Sequence, residues 1–241
     1  MTRDVAAVPE RAVRLRVNGL GVALWTCTPG ALEALAAGRL LAGGFIRSAD
    51  DLLALRTLPD EEPVLGVDAE VPAVCMATAV AEGEHRAEHG CGPRFLLDCR
   101  PELIRRAPAA PPPDPAVFHG LFRGLYAGSA SHRGSGGLHT AALSDGEGLL
   151  YLHEEVGRHN AVDKAIGAAV LDGAHRPALG LVTTARISGE IAAKAARAGL
   201  AWIASRSVPT SLAVEIAGVA GIPIVARAPG PDARVFAPGE A

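Results

Sequence analysis

Residues 179–226 read LGLVTTARISGEIAAKAARAGLAWIASRSVPTSLAVEIAGVAGIPIVA, and their rhythm decides the fold. Short apolar runs at 179–184, 201–204 and 222–226 are strand-sized, and helical patterns at 188–198 and 209–220 separate them. Upstream, strand-like segments at 138–144 and 148–153 flank an Asp145-Gly146 turn, and a helical pattern follows at 160–171. Alternation of this kind predicts an α/β fold, a sheet covered by helices. Loops that leave such strands and enter helices are where phosphates and small ligands bind, because helix N-termini present free N–H groups there.

Outward from this core, residues 107–115 (APAAPPPDP) remove backbone donors and fix φ, and they predict a linker. The expected organisation is therefore an N-terminal subdomain at 1–106, the linker, and an α/β core at 116–241. Within the first part, Val13, Leu15 and Val17 alternate, Asn18-Gly19 supplies turn chemistry, and Leu20, Val22 and Leu24 alternate again, predicting a hairpin. Thr28-Pro29 predicts a helix start and Gly43-Gly44 its stop, with a second short helix from Ser48. Strand-like stretches follow near 63–67 and 71–80, and residues 81–92 and 128–137 read as loops.

Composition excludes several functions. Aromatic residues make up 4% of the chain, too few for a stacking platform on single-stranded nucleic acid. A net charge of −3 gives no general attraction to phosphate polymers. No apolar window approaches the roughly 20 residues of a membrane span, and the N-terminus lacks a signal-peptide core, so the cytoplasm is the expected setting. The four cysteines (Cys27, Cys75, Cys91 and Cys99) form no C-x-x-C pair, which argues against a disulfide scaffold or a structural zinc site.

The densest polar cluster runs from His153 to Lys164. It opens with His-Glu, but His153 and His159 are six residues apart, roughly 240° around a helix, so they cannot share a metal on one face. Arg158, His159, Asn160, Asp163 and Lys164 instead crowd a strand-to-helix junction, an arrangement suited to an anion. A solvated helix start is the plainer reading. Arg186 and Ser188 occupy a second junction, and Ser207, Thr210 and Ser211 a third. Three in succession point to a shared pocket. Among the thiols, Cys91 stands between Gly90 and Gly92 with His85, Arg86, His89 and Arg94 nearby. Neighbouring cations raise the thiolate fraction that sulfur chemistry requires. An ordinary loop cysteine is the alternative.

At Glu155-Val156-Gly157-Arg158-His159-Asn160-Ala161-Val162-Asp163-Lys164 the chain resembles the FdhD/NarQ family, whose members carry a nearly identical E-D-V-G-R-H-N-A-V-D-K block. Ser135-Gly136-Gly137-Leu138-His139-Thr140-Ala141 is similar to its T-G-G-x-H-x-A block. Arg186-x-Ser188-x-Glu190, with Lys194 following, and Ser207-Val208-Pro209-Thr210-Ser211-Leu212-Ala213-Val214 match two more segments. Val17-Asn18-Gly19 and Thr28-Pro29 also fit.

The resemblance implies a cytidine-deaminase-like α/β core without the zinc site, and a homodimer. It implies that sulfur passes from a cysteine desulfurase to the molybdenum cofactor, in its bis-molybdopterin guanine dinucleotide form, before that cofactor enters formate dehydrogenase or a related molybdoenzyme. The sulfur would travel as a persulfide on Cys91. Arg158, His159, Asn160, Asp163, Lys164, Arg186, Ser188, Ser207, Thr210 and Ser211 would line or support the cofactor pocket, joined by Arg227 and Gly230. His139 would orient a ligand or satisfy a buried carbonyl. The chain departs from the family where C-G-x-C-G becomes Cys91-Gly92-Pro93-Arg94-Phe95, where Ala185 replaces a glycine, and around residues 226–231. The missing second cysteine motivates an alternative, a cofactor-binding chaperone that moves no sulfur. A deaminase-like hydrolase is disfavoured by the absent zinc ligands.

Overall fold

The Asn18-Gly19 turn forms as its residues dictate, with both at positive φ (49° and 80°). In the computed structural model, which describes residues 7–59, 64–76, 111–130, 135–173 and 178–238, it joins β1 (Arg11–Val17) to β2 (Leu20–Cys27). Val13, Leu15 and Val17 face inward, and the Asn18 amide brackets the backbone of Val71 with bonds of 3.0 and 2.9 Å. β3 (Ala54–Thr57) and β4 (Val64–Glu70) complete a sheet of order β2-β1-β4-β3, with β1 and β4 parallel. β3 was not expected from the sequence. Beyond β4, Pro72–Met76 turn helically, with the Cys75 N–H bonded to the Pro72 carbonyl at 2.9 Å, so the strand expected from residue 71 does not form there. Ser48 leads into a single 3-10 turn, Ala49–Asp51.

α1 (Leu32–Ala42) starts later than Thr28-Pro29 predicts, and the reason is tertiary. The Thr28 N–H donates to the Glu155 carboxylate at 2.6 Å, its hydroxyl accepts from the Val156 N–H at 3.0 Å, and its carbonyl accepts from Lys164 at 2.9 Å. Thr28 is thus turned toward Glu155, Val156 and Lys164 instead of the start of α1. The stop at Gly43 is as expected.

The second sheet runs β10-β9-β8-β7-β5-β6. Its strands are β5 (His139–Ser144), β6 (Leu149–Glu155), β7 (Gly180–Thr183), β8 (Trp202–Ser205), β9 (Ile224–Ala226) and β10 (Arg234–Phe236). β7, β8 and β9 are parallel, and β5 is antiparallel to both its neighbours. One face carries α2 (Pro115–Gly128), a helix inside the expected core but not anticipated. Asp114 caps it, and Phe118, Leu121, Phe122 and Leu125 form the apolar stripe that packs on Val182, Trp202 and Val225. The other face carries α3 (Arg158–Leu171), α4 (Gly189–Arg197) and α5 (Ser211–Ala220), close to the expected helical spans.

The first sheet, α1 and this second face share one hydrophobic core. α1 and α3 cross with backbones in contact: a Cβ on Gly38 would sit 2.0 Å from the Asp163 carbonyl oxygen, and one on Gly167 would sit 1.8 Å from that of Ala34. Only glycine permits this approach. The strand directions bring the ends of β6, β7, β8 and β9 and the start of β5 to one edge. Among the described residues no helix is long and apolar enough to cross a membrane.

Candidate functional site

The polar residues gathered at this edge separate into an inner layer and an outer one. The inner layer is the α3 block. Asp163 is fully buried and receives Lys194 of α4 at 2.6 and 2.9 Å, with Arg39 of α1 at 3.8 Å. Lys164 reaches Glu155 at 2.5 Å and the Thr28 carbonyl. Asn160 donates to the Thr26 carbonyl at 2.8 Å. These side chains therefore tie α3 to the N-terminal sheet and to α4, with the Asp163, Lys164 and Lys194 charges paired inside the protein. Arg39 also lies over the Trp25 ring at 4.6 Å, which extends the tie to β2.

His159 stands between the layers. Its Nε2 is 3.1 Å from the Ser188 hydroxyl and 3.4 Å from the Glu190 carboxylate. Burial first, then the charges of Lys194 and Arg158, push its pKa down to about 3, so the ring is neutral near pH 7. Ser188 precedes α4 without capping it, leaving its hydroxyl to the histidine. Arg158, the first residue of α3, is half-buried, and its Nε is shielded with no hydrogen-bond partner among the described residues.

The outer layer is the loops that leave the strands at this edge, those after β7 and β8 leading into helices and that after β9 leading into β10. Arg186 follows β7, Ser207 follows β8, and Arg227 and Gly230 follow β9. Arg186 and Arg227 are exposed and Ser207 half-exposed. Thr210 caps α5 through the Ala213 N–H at 3.2 Å, so its acceptor capacity serves the helix first, and Ser211 is exposed on the first turn. Beside these loops lies an open cleft of about 380 Å³ lined by Tyr126, Gly136, Gly137, Leu138, His139 and Thr184. Sequence reasoning singled out His139 but not Tyr126 or Thr184. Tyr126 comes from the unanticipated α2, and Thr184 carries no signal beyond ending a strand.

Of the thiols, Cys27 is fully buried, and burial followed by Glu155 raises its pKa to about 11. Cys75 is half-buried, and burial followed by Asp51 also raises its pKa. Both stay protonated and are poorly suited to sulfur transfer. Cys91, its neighbours and Cys99 lie outside the described residues. Among the described residues no group of three or more His, Cys, Asp or Glu side chains is placed to hold a metal ion.

A family model described as the FdhD/NarQ family matches residues 8–241. A protein of Bordetella petrii named Sulfur carrier protein FdhD is 32% identical, the match covering 98% of this chain and 86% of the relative. A protein of the same name from Anaeromyxobacter sp. (strain K) is 36% identical over 99% of this chain and 88% of its own. The crystal structure of a candidate formate dehydrogenase accessory protein from Desulfotalea psychrophila superposes with a TM-score of 0.73 at 25% identity, covering 98% of this chain and 89% of that one. The family match over nearly the whole chain, the shared architecture and the length of the relatives' matches converge: the chain belongs to the FdhD/NarQ family.

Proposed function

We propose that the protein is a sulfur carrier for the maturation of formate dehydrogenase or a related molybdoenzyme. The observation that carries this reading is the family match over residues 8–241, with relatives named sulfur carriers across nearly their whole length. Cys91 is the carrier thiol. Its thiolate takes the outer sulfur of a cysteine desulfurase persulfide, the desulfurase thiolate leaves, and Cys91 holds the sulfur as its own persulfide. Cys27 and Cys75 are unsuited to this step for the reasons of burial and protonation given above. The reading does not favour a binding-only chaperone, because the relatives carry the sulfur-carrier name.

The acceptor in this reading is the molybdenum cofactor in its guanine dinucleotide form, which supplies the metal to be sulfurated. The residues at the carboxyl edge fit so anionic a group: exposed guanidiniums, hydroxyls, and a shielded Arg158 Nε with no hydrogen-bond partner among the described residues. Arg186, Arg227, Ser188, Ser207 and Ser211 would hold it. Asn160, Asp163, Lys164 and His159 act behind them as supports, and Thr210 and Gly230 shape the loops. The functional form is a homodimer in the same reading.

The test is to incubate the purified protein with a cysteine desulfurase and cysteine, then weigh it intact. A gain of one sulfur atom, lost on reduction and absent from Cys91→Ala, is expected. The same gain on Cys91→Ala, or none on the unmodified chain, overturns the reading.

A further inference from the structure

Arg206 belongs to none of the residues so far assigned, yet it stands between two that are. It directly follows β8, as Arg227 directly follows β9, and Arg186 lies three residues beyond β7. These strands are neighbours in the sheet, so their ends are about 5 Å apart and the three loops occupy a band roughly 10 Å wide. All three arginines are exposed, and none has an ion pair or side-chain hydrogen bond among the described residues. Two exposed arginines elsewhere do have company, Arg56 at 3.5 Å from Glu70 and Arg234 over the Phe236 ring, so what sets Arg186, Arg206 and Arg227 apart is their place on three adjacent strand ends.

The loops that bear the three arginines are fastened to one another. The Arg206 N–H donates to the Thr183 carbonyl at 3.3 Å, and the Ser205 hydroxyl to that of Ala185 at 2.6 Å. The Ile187 N–H reaches the Val208 carbonyl at 3.2 Å, and the Thr210 N–H returns to the Ile187 carbonyl at 2.9 Å. The Arg227 and Ala228 N–H groups bond the Ser207 and Ser205 carbonyls at 2.9 Å each. Arg227 itself sits at φ 54°, a left-handed conformation unfavourable for a residue with a Cβ, and it is held there by these bonds. The backbone bonds at all three positions are thus made before any ligand arrives, so binding has to order the three side chains but not the loops that bear them. Three like charges on adjacent strand ends, with no opposite charge paired to them among the described residues, form a local field that attracts a compact multiply charged anion even on a chain of net charge −3.

We infer that Arg186, Arg206 and Arg227 form a ledge that takes the diphosphate of a nucleoside-diphosphate-bearing ligand, with Arg206 as its central member. Arginine suits this role because its planar fork donates two parallel hydrogen bonds to a phosphate. The inference rests on the cofactor-binding reading above and adds to it the part of the ligand that is gripped and a residue outside the family blocks that grips it.

Titration calorimetry on the full chain at low salt tests this with guanosine diphosphate, inorganic pyrophosphate and guanosine. The unmodified protein is expected to bind the two diphosphates, more weakly as salt rises. Arg206→Ala is expected to weaken both by about tenfold, the scale of one charge-assisted bond. Arg206→Lys, which keeps the charge but loses the fork, should recover only part. Guanosine binding should be unchanged in both variants. Normal diphosphate affinity in Arg206→Ala, with an unchanged melting temperature, overturns the ledge and leaves the cofactor reading standing. No diphosphate binding by the unmodified chain overturns both.

Discussion

The inner charge cluster and the outer arginine ledge are built from the same residue types, within one strand-to-helix step of each other. Asp163, Lys164 and Lys194 are 0–2% exposed and matched with opposite charges; Arg186, Arg206 and Arg227 are exposed and have no ion pair among the described residues. The inner set fixes how α1, α3 and α4 sit together. The outer set is left available for a ligand. A charged residue in a family block is therefore not evidence of ligand contact until its own partners are known.

Removing an inner partner should have the largest effect. Asp163→Ala leaves the buried Lys194 ammonium with Glu190, at 3.6 Å, in place of its two close carboxylate bonds, and is expected to cost about 3 kcal/mol in denaturant unfolding. The double variant Asp163→Leu with Lys194→Met should restore part of that loss, since it removes both members of the closest buried pair, while Arg39 and Glu190, at 3.8 and 3.6 Å from them, still lose a partner. If Asp163→Ala is instead neutral, the inner cluster does not hold the helices together. Next, Gly167→Ala forces α3 away from the Ala34 carbonyl and should lower stability by about 1–3 kcal/mol, read as a drop in melting temperature.

His159 gives a pH signature that the ledge cannot give. Its folded pKa of about 3 lies below its unfolded value near 6.5, so the unfolded chain binds a proton that the folded chain refuses. This contribution is harmless above about pH 6.5, and it destabilises by about 1.4 kcal/mol for each pH unit below that, down to the folded pKa. His159→Gln should flatten that part of the stability–pH curve, and an identical slope in both proteins would show that the histidine is not buried neutral. The smallest effect on stability belongs to the ledge. Arg186→Ala should change unfolding free energy by less than about 0.5 kcal/mol while weakening diphosphate binding about tenfold. A large loss of stability there would erase the distinction between the two layers.

Periodicity and turn chemistry were enough to read the β1–β2 hairpin, the β5–β6 pair and the run from α3 to β9, because each is specified by neighbours in sequence: Asn18-Gly19, Asp145-Gly146, and alternating apolar runs. The helix α2 was missed although Phe118, Leu121, Phe122 and Leu125 have helical spacing, because the prolines before it and Gly120 and Gly124 within it look like breakers. β3 and β10 are four and three residues long and gain strand character only from the partner they lie against. The family blocks likewise announced which polar residues matter but not what each one touches.

By itself the sequence determined the α/β class, the family and the place of Cys91 between two glycines, since these depend on local pattern and residue identity. Tertiary structure alone decided that Thr28 would abandon its helix for Glu155, Val156 and Lys164, and that Asp163 would turn toward Lys194. It also aligned Arg186, Arg206 and Arg227, separated by 20 and 21 positions in the chain, along adjacent strand ends. The physical reason is the same in each case. Burial and pairing depend on groups brought together from distant parts of the chain, and no local window contains both partners.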